Sequence, residues 1–264
     1  MRRKLVVGNW KLHGSLAQNK VLIASLLTNL KRLHTADFAI CIPYTYLFQA
    51  QALLSGTNIA WGAQNVSQFE EGAFTSSISA SMIAEFGCTF AIIGHSEHRA
   101  LMHESNQQTA IRFARATSAG ITPIYCVGET FAERQAGIAE NVIKKQILAI
   151  TNELDDVIFK CAKQLNAVIA YEPVWAIGNG ANASAEQAQM MHAYIRSLIA
   201  ERDAEFAKQV RIIYGGSVTP ENVCTILTMP DVDGSLVGRC ALEADDFTRI
   251  CMVASDTQIC TIAL

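Results

Sequence analysis

AVIAYEPVWAIGNG, residues 167–180, joins two kinds of sequence end to end. AVIAY has the length and unbroken apolar character of a strand buried on both faces. It stops at Glu172. Pro173 then opens a loop whose Val174-Trp175-Ala176-Ile177 is too short for a helix and awkward to leave in water. The same pattern, an apolar run followed by glycine or polar residues, recurs at KLVVGNW (4–10), FAICI (38–42), IAWGA (59–63), FAIIG (90–94), PIYCV (123–127), RIIYG (211–215) and GSLVG (234–238). With AVIAY that makes eight predicted strands.

Amphipathic stretches at 15–33, 105–120, 139–158 and 184–204 lie between them and predict helices. Apolar strands separated by helices imply parallel pairing, because a parallel connection needs a crossover. Eight such units predict an α/β fold: one closed (β/α)8 barrel of eight parallel strands and outer helices, a single domain over residues 1–264. A doubly wound open sheet is the second choice.

In a barrel the active site is built just after the C-terminal strand ends. Chemistry-bearing residues collect there: Asn9 and Lys11, Gln64 and Asn65, His95 to Glu97, Gly128 and Glu129, Glu172, Gly215 to Ser217, and Gly238 with Arg239. Only the second strand, ending in Pro43-Tyr44, offers no obvious chemistry.

Half the residues are hydrophobic and 17% are charged, ample for a core and against disorder. A net charge of −3 gives no general attraction to nucleic acid or an anionic membrane, so an anionic ligand needs a local site. Leu5-Val6-Val7 is too short to be a signal-peptide core, and no apolar run reaches membrane-spanning length. The eight cysteines form no C-x-x-C pair and read as buried free thiols of a reducing cytoplasm.

Three glycine-bearing turns, at Gly178, Gly215-Gly216-Ser217 and Gly238, are placed to aim backbone N–H groups at one anion. Each alone serves a tight turn equally well. Glu172 beside an apolar lid fits a general base whose pKa is raised by exclusion of water, against the plain alternative of a surface carboxylate. His95, at a strand-to-helix junction, suits a neutral hydrogen-bond donor to a carbonyl. Lys11 suits a fixed positive charge near a phosphate and a developing oxyanion, or a Schiff base. His95, His98 and His103 with Glu97 and Glu104 invite a metal, but their spacing lines no single helical face and HExxH is absent. Ser96 lacks the G-x-S-x-G context of a nucleophile.

GNWK (8–11), AQN (63–65), GAFT (72–75), GHSE (94–97), CVGET (126–130), YEPVWAIG (171–178), YGGSV (214–218) and DGSLVG (233–238) together resemble the triosephosphate isomerase family, in its order and over nearly the whole chain. The resemblance implies a TIM barrel, a cytoplasmic homodimer, and interconversion of dihydroxyacetone phosphate and glyceraldehyde 3-phosphate in glycolysis and gluconeogenesis, with no cofactor or metal. By matching motif it implies Glu172 as base, His95 as electrophile, Asn9 and Lys11 as enediolate stabilisers, and Glu97 as support for Lys11. It also implies Gly178, Ser217, Gly238 and Arg239 as phosphate-binding amides, and Thr75 as the residue reaching a partner subunit. Departures fall at Leu12-His13, Ser76-Ser77, His98, Asn179 and Arg239. A Schiff-base phosphosugar lyase and a non-catalytic phosphate-binding barrel are the alternative readings.

Overall fold

The computed structural model describes residues 2–151, 154–177 and 183–256. All eight strands form: β1 Leu5–Asn9, β2 Asp37–Ile42, β3 Ile59–Ala63, β4 Phe90–Ile93, β5 Thr122–Val127, β6 Val168–Tyr171, β7 Arg211–Tyr214 and β8 Gly234–Val237. Each pairs in parallel with its neighbour, and β8 closes onto β1 with Leu5 opposite Gly234, while Leu5 also meets Asp37 of β2. The open doubly wound alternative is excluded by that closure.

Alternation along the strands divides the apolar residues into two cores. Leu5, Val7, Ala39, Cys41, Ile92, Ile124, Cys126, Val168, Ala170, Ile213 and Leu236 fill the barrel interior. Residues one step out of phase, such as Val6, Ile40, Ile93, Ile169 and Ile212, pack against the helical layer. The inward face matters most for function. Two residues beyond Val7 it delivers Asn9, and two beyond Ala170 it delivers Glu172, both at the upper rim.

The helices start where side chains can cap them. Ser105 and Ser184 form capping boxes with Gln108 and Gln187 at the starts of Asn106–Ser118 and Ala185–Arg202. The predicted helical stretch at 139–158 is two helices, Ala139–Thr151 and Asp156–Gln164. Asp155 accepts the Ile158 N–H at 2.8 Å and so starts a second helix rather than continuing the first. Tyr44, at the strand end without obvious chemistry, donates its hydroxyl to the Asn65 carbonyl at 2.7 Å and ties two rim loops together.

Cys41, Cys88, Cys126, Cys161, Cys240 and Cys251 are free thiols, four of them completely or nearly completely enclosed by apolar neighbours. Cys224 departs from the free-thiol expectation, being disulfide-bonded. Among the described residues no helix is long and apolar enough to cross a membrane.

Candidate active site

The β4 turn places the electrophile candidate. The helix Ser96–Met102 begins one residue after His95, which is its N-cap: the Glu97 N–H donates to His95 Nδ1 at 3.2 Å. An Nδ1 that accepts a hydrogen bond carries no proton, so the neutral ring keeps its proton on Nε2. Nε2 lies 2.9 Å from Glu172 Oε1. Glu172 Oε2 in turn accepts the Ser96 N–H at 2.8 Å. Both carboxylate oxygens are therefore occupied by donors from one helix start.

Glu172 is 2% exposed. Burial works to raise its pKa, but His95 and the Ser96 amide together outweigh it, and the net direction is downward. This corrects the expectation that exclusion of water leaves the carboxyl raised: burial acts in that direction, but His95 and then the Ser96 amide outweigh it in this conformation. For His95, burial favours the neutral ring, while Glu172 and then Glu97 press the other way and lift its pKa above the ordinary value while Glu172 stays in contact.

Two glycines make room for Glu172. A Cβ on Gly128 would fall 1.8 Å from the Glu172 carbonyl oxygen, and one on Gly215 would fall 2.9 Å from Glu172 Cγ.

Lys11 has φ +51, in the left-handed region that an L side chain rarely adopts. Its surroundings hold it there. Its N–H donates to Asn9 Oδ1 at 3.0 Å, and Gln64 Nε2 donates to its carbonyl at 2.8 Å and to Asn9 Oδ1 at 3.3 Å. The ammonium is 2.5 Å from Glu97 Oε1, and a Cβ on Gly238 would sit 3.4 Å from Lys11 Cε. Lys11 thus lies between the helix start that carries His95 and the turn after β8.

At the β7 and β8 turns, Gly215 donates its N–H to the Tyr171 carbonyl at 2.7 Å, so that amide is not free for an anion. Ser217 follows it, braced by Asn222, which donates Nδ2 to the Ser217 carbonyl at 2.9 Å and accepts the Thr219 N–H at 2.9 Å. Arg239 begins a short 3-10 turn, Arg239–Leu242, and is not among the positive-φ residues, so its non-glycine side chain costs no backbone strain. Gly178 and Asn179 lie outside the described residues.

The first half of the predicted lid is fastened to Glu129, which the sequence flagged only as a polar strand-end residue. Glu129 is fully buried, and its Oε1 accepts the Trp175 Nε1–H at 2.8 Å, the Tyr171 hydroxyl at 3.1 Å and Arg134 Nη1 at 3.0 Å. Arg134 also lies over the Trp175 ring, 4.6 Å from its centroid. The Val174 N–H reaches the Glu129 carbonyl at 3.1 Å. One carboxylate thus anchors the end of β6, the Val174–Ala176 turn and the helix that carries Arg134.

The histidines of GHSEHRALMH do not share a centre. His98 faces Glu104 through Nδ1 at 3.2 Å and Asn65 through Nε2 at 2.9 Å, and His103 sits in a left-handed turn. Thr75 is exposed on a loop that Ser67 and Ile78 pinch shut through a 2.7 Å backbone bond. Ser76 in that loop has φ +75.

A closed parallel barrel with a carboxylate, an imidazole and an ammonium group at its C-terminal rim has the equipment of a barrel enzyme that moves protons beside a carbonyl. The triosephosphate isomerase family model matches residues 4–254. The chain is 48% identical to a triosephosphate isomerase of Thiobacillus denitrificans, over 97% of this chain and all of that protein. It is 49% identical to one of Ralstonia nicotianae, over 94% of this chain and 98% of the relative. The crystal structure of triosephosphate isomerase from Bartonella henselae superposes with a TM-score of 0.85 at 33% identity, covering 95% of this chain and 98% of that one. The chain belongs to the triosephosphate isomerase family.

Proposed function

We propose that Glu172, His95, Lys11 and Asn9 carry out the reaction for which the family is named, on a single-domain barrel. The chain is an aldose–ketose isomerase acting on dihydroxyacetone phosphate and D-glyceraldehyde 3-phosphate, a step of glycolysis and gluconeogenesis. The observation that carries the residue assignment is the 2.9 Å contact between Glu172 and His95 Nε2, with both side chains almost fully buried at the barrel mouth. A base and a neutral donor in contact there can act on adjacent carbon and oxygen atoms of one small substrate.

The chemistry follows from those positions. His95 Nε2–H donates to the substrate carbonyl oxygen, which becomes the enediolate oxygen when Glu172 takes the proton from the neighbouring carbon. His95 Nε2 gives its proton to that enediolate oxygen and takes up the hydroxyl proton from the oxygen of the neighbouring carbon. Protonated Glu172 returns its proton to the former carbonyl carbon, so the carbonyl shifts by one carbon with no net gain or loss of protons. Lys11 and Asn9 face the developing negative charge. To act, Glu172 must leave the Ser96 N–H and His95. That departure removes the two interactions that lower its pKa while burial remains, so it becomes a stronger base as it reaches the substrate. The same movement frees His95 from the carboxylate that favours its charged form.

Ser217, Gly238 and Arg239, with Gly178 from the lid, supply amides to the substrate phosphate, and Lys11 beside Gly238 adds positive charge. Lys11 Nζ is engaged by Glu97 Oε1 at 2.5 Å, a contact it would have to give up to add to a carbonyl, which disfavours the Schiff-base alternative. Closing the lid over the enediolate keeps water from assisting phosphate loss.

The working unit is a homodimer. Leu12 is 94% exposed, and Phe48, Phe74, Met82, Leu101 and Met102 add apolar surface on the loops and helices around the first four strands, an uncovered area a second copy would bury. Thr75, exposed on the loop that Ser67 and Ile78 close, is the residue that reaches the partner's site in this scheme. No cofactor enters this scheme, and the compartment is the cytoplasm.

Glu172→Gln assayed in both directions is expected to lose roughly 10²–10⁴-fold in turnover. Near-wild-type turnover would sink the base assignment, and trapping of Lys11 with substrate and borohydride would favour the lyase. Sedimentation at low concentration checks the dimer, and a stable, fully active monomer contradicts it.

A further inference from the structure

The opposite mouth of the barrel, at the N-terminal strand ends, carries a polar centre that the isomerisation does not use. Arg2 and Arg3 precede β1, Asp37 opens β2, Asn166 lies just before β6 and Arg211 opens β7. With Lys208 they line a cavity of about 510 Å³. Among the side chains that line it, four are cations and one, Asp37, is a carboxylate.

Asp37 is divided between two guanidinium groups, with Oδ1 2.6 Å from Arg3 Nε and Oδ2 2.8 Å from Arg211 Nη1. A guanidinium has five N–H donors. Among the described residues Arg211 makes one side-chain hydrogen bond, to Asp37. Arg3 uses Nε on Asp37 and Nη2 on the carbonyls of His34 and Ala36, so its Nη1 takes no part in those bonds. Lys208 is tied to Glu205 across an exposed pair, a contact worth little in water. Arg2 is answered by Asp233 at 2.7 Å and Asp231 at 3.7 Å and forms the wall, so the charge left without a carboxylate of its own lies on Arg3 and Arg211, which share Asp37. Burial lowers the pKa of Arg211 against the opposing pull of Asp37, and Arg3 adds to the lowering. Burial acts in the same direction on Lys4, with Asp233 opposing and Arg2 assisting. Positive charge here is short of counter-charge, a condition that an anion relieves.

We propose that this cavity binds an oligophosphate anion, held by the guanidinium forks of Arg3 and Arg211 and by Lys208. The forks match phosphate oxygens in geometry, and the cavity is larger than one phosphate group requires. The site lies across the full length of the barrel from Glu172, so its occupancy is separable from that of the substrate phosphate site.

Tripolyphosphate is titrated calorimetrically into the protein at low ionic strength, without divalent metal and with saturating dihydroxyacetone phosphate to fill the other mouth. One equivalent is expected to bind still, and Arg3→Gln/Lys208→Gln weakens it at least tenfold with turnover unchanged. Lys208→Glu gives the same direction without disturbing the bonds Arg3 makes to His34 and Ala36. ATP and inorganic phosphate are run in parallel. ATP binding as tightly as tripolyphosphate assigns the site to a nucleotide's phosphate tail, and tripolyphosphate binding alone assigns it to a free oligophosphate. Loss of all binding once triose phosphate is present, or unchanged affinity in the variants, overturns the proposal.

Discussion

His192 makes a quantitative prediction about acid stability. Its ring is fully buried on the helix Ala185–Arg202, edge-on to Tyr171 at 5.8 Å and near Tyr214 at 6.4 Å. Nδ1 is 3.2 Å from the Asp231 carbonyl, and Nε2 has no hydrogen-bond partner among the described residues. A proton added at Nε2 would be buried with no acceptor among the described residues. Burial accordingly pushes the pKa down to about 4, with the Asp231 carbonyl pulling weakly the other way. In the unfolded chain the same ring titrates near its ordinary value of about 6.5. Between those values the unfolded state binds more protons than the folded one, so stability rises with pH across the window and is lost as pH falls through it. Linkage across that gap gives a loss of about 2 kcal/mol by pH 5 and about 3 kcal/mol by pH 4, relative to neutral pH. The measurement is urea unfolding of the wild type and His192→Gln at fixed protein concentration from pH 7 to pH 4. Whatever His192→Gln costs at pH 7, its stability should fall less steeply, by about that amount. Parallel pH slopes for the two proteins, or a ring titrating near 6.5 by NMR, would refute the reasoning.

Two other substitutions test the site and its supports. Gly128→Ala places a Cβ against the Glu172 backbone, which cannot rotate away, so it should cost roughly 1–3 kcal/mol in urea unfolding and lower kcat by shifting the base; unchanged stability and kcat would contradict it. Glu104→Gln strips the charge from a carboxylate 2.5 Å from Arg112 Nε and 3.2 Å from His98 Nδ1, in a side chain 2% exposed. Breaking such a buried pair is expected to cost roughly 3–5 kcal/mol, and a loss under about 1 kcal/mol would show that the pair is not the support it looks like.

Strand number, order and pairing type were legible because parallel burial on both faces writes itself as short apolar runs. The rim positions of Asn9, His95 and Glu172 followed from the strand ends. What local sequence could not carry were contacts between distant segments. The direction of the Glu172 pKa depends first on His95 meeting Oε1 and then on the Ser96 amide, 76 residues away, meeting Oε2. The fastening of the lid depends on Glu129 meeting Trp175 across 46 residues. Gln64 stands in the AQN motif, yet nothing in its neighbourhood announces that it holds the Lys11 carbonyl. The left-handed backbone at Lys11 was likewise invisible, since lysine carries no turn preference that glycine or asparagine would have signalled.

The pairing of Leu5 with Gly234 has a consequence for the birth of the molecule. The first strand to leave the ribosome waits for the last, with more than two hundred residues synthesised in between. Until then β1 and the newest strand both present unpaired edges, ready templates for the wrong neighbour. The Arg2 contact with Asp233, spanning 231 positions, also forms only at that final moment. Closure is therefore a late, chain-wide event, and a nascent protein halted before residue 234 is an open ribbon in need of protection.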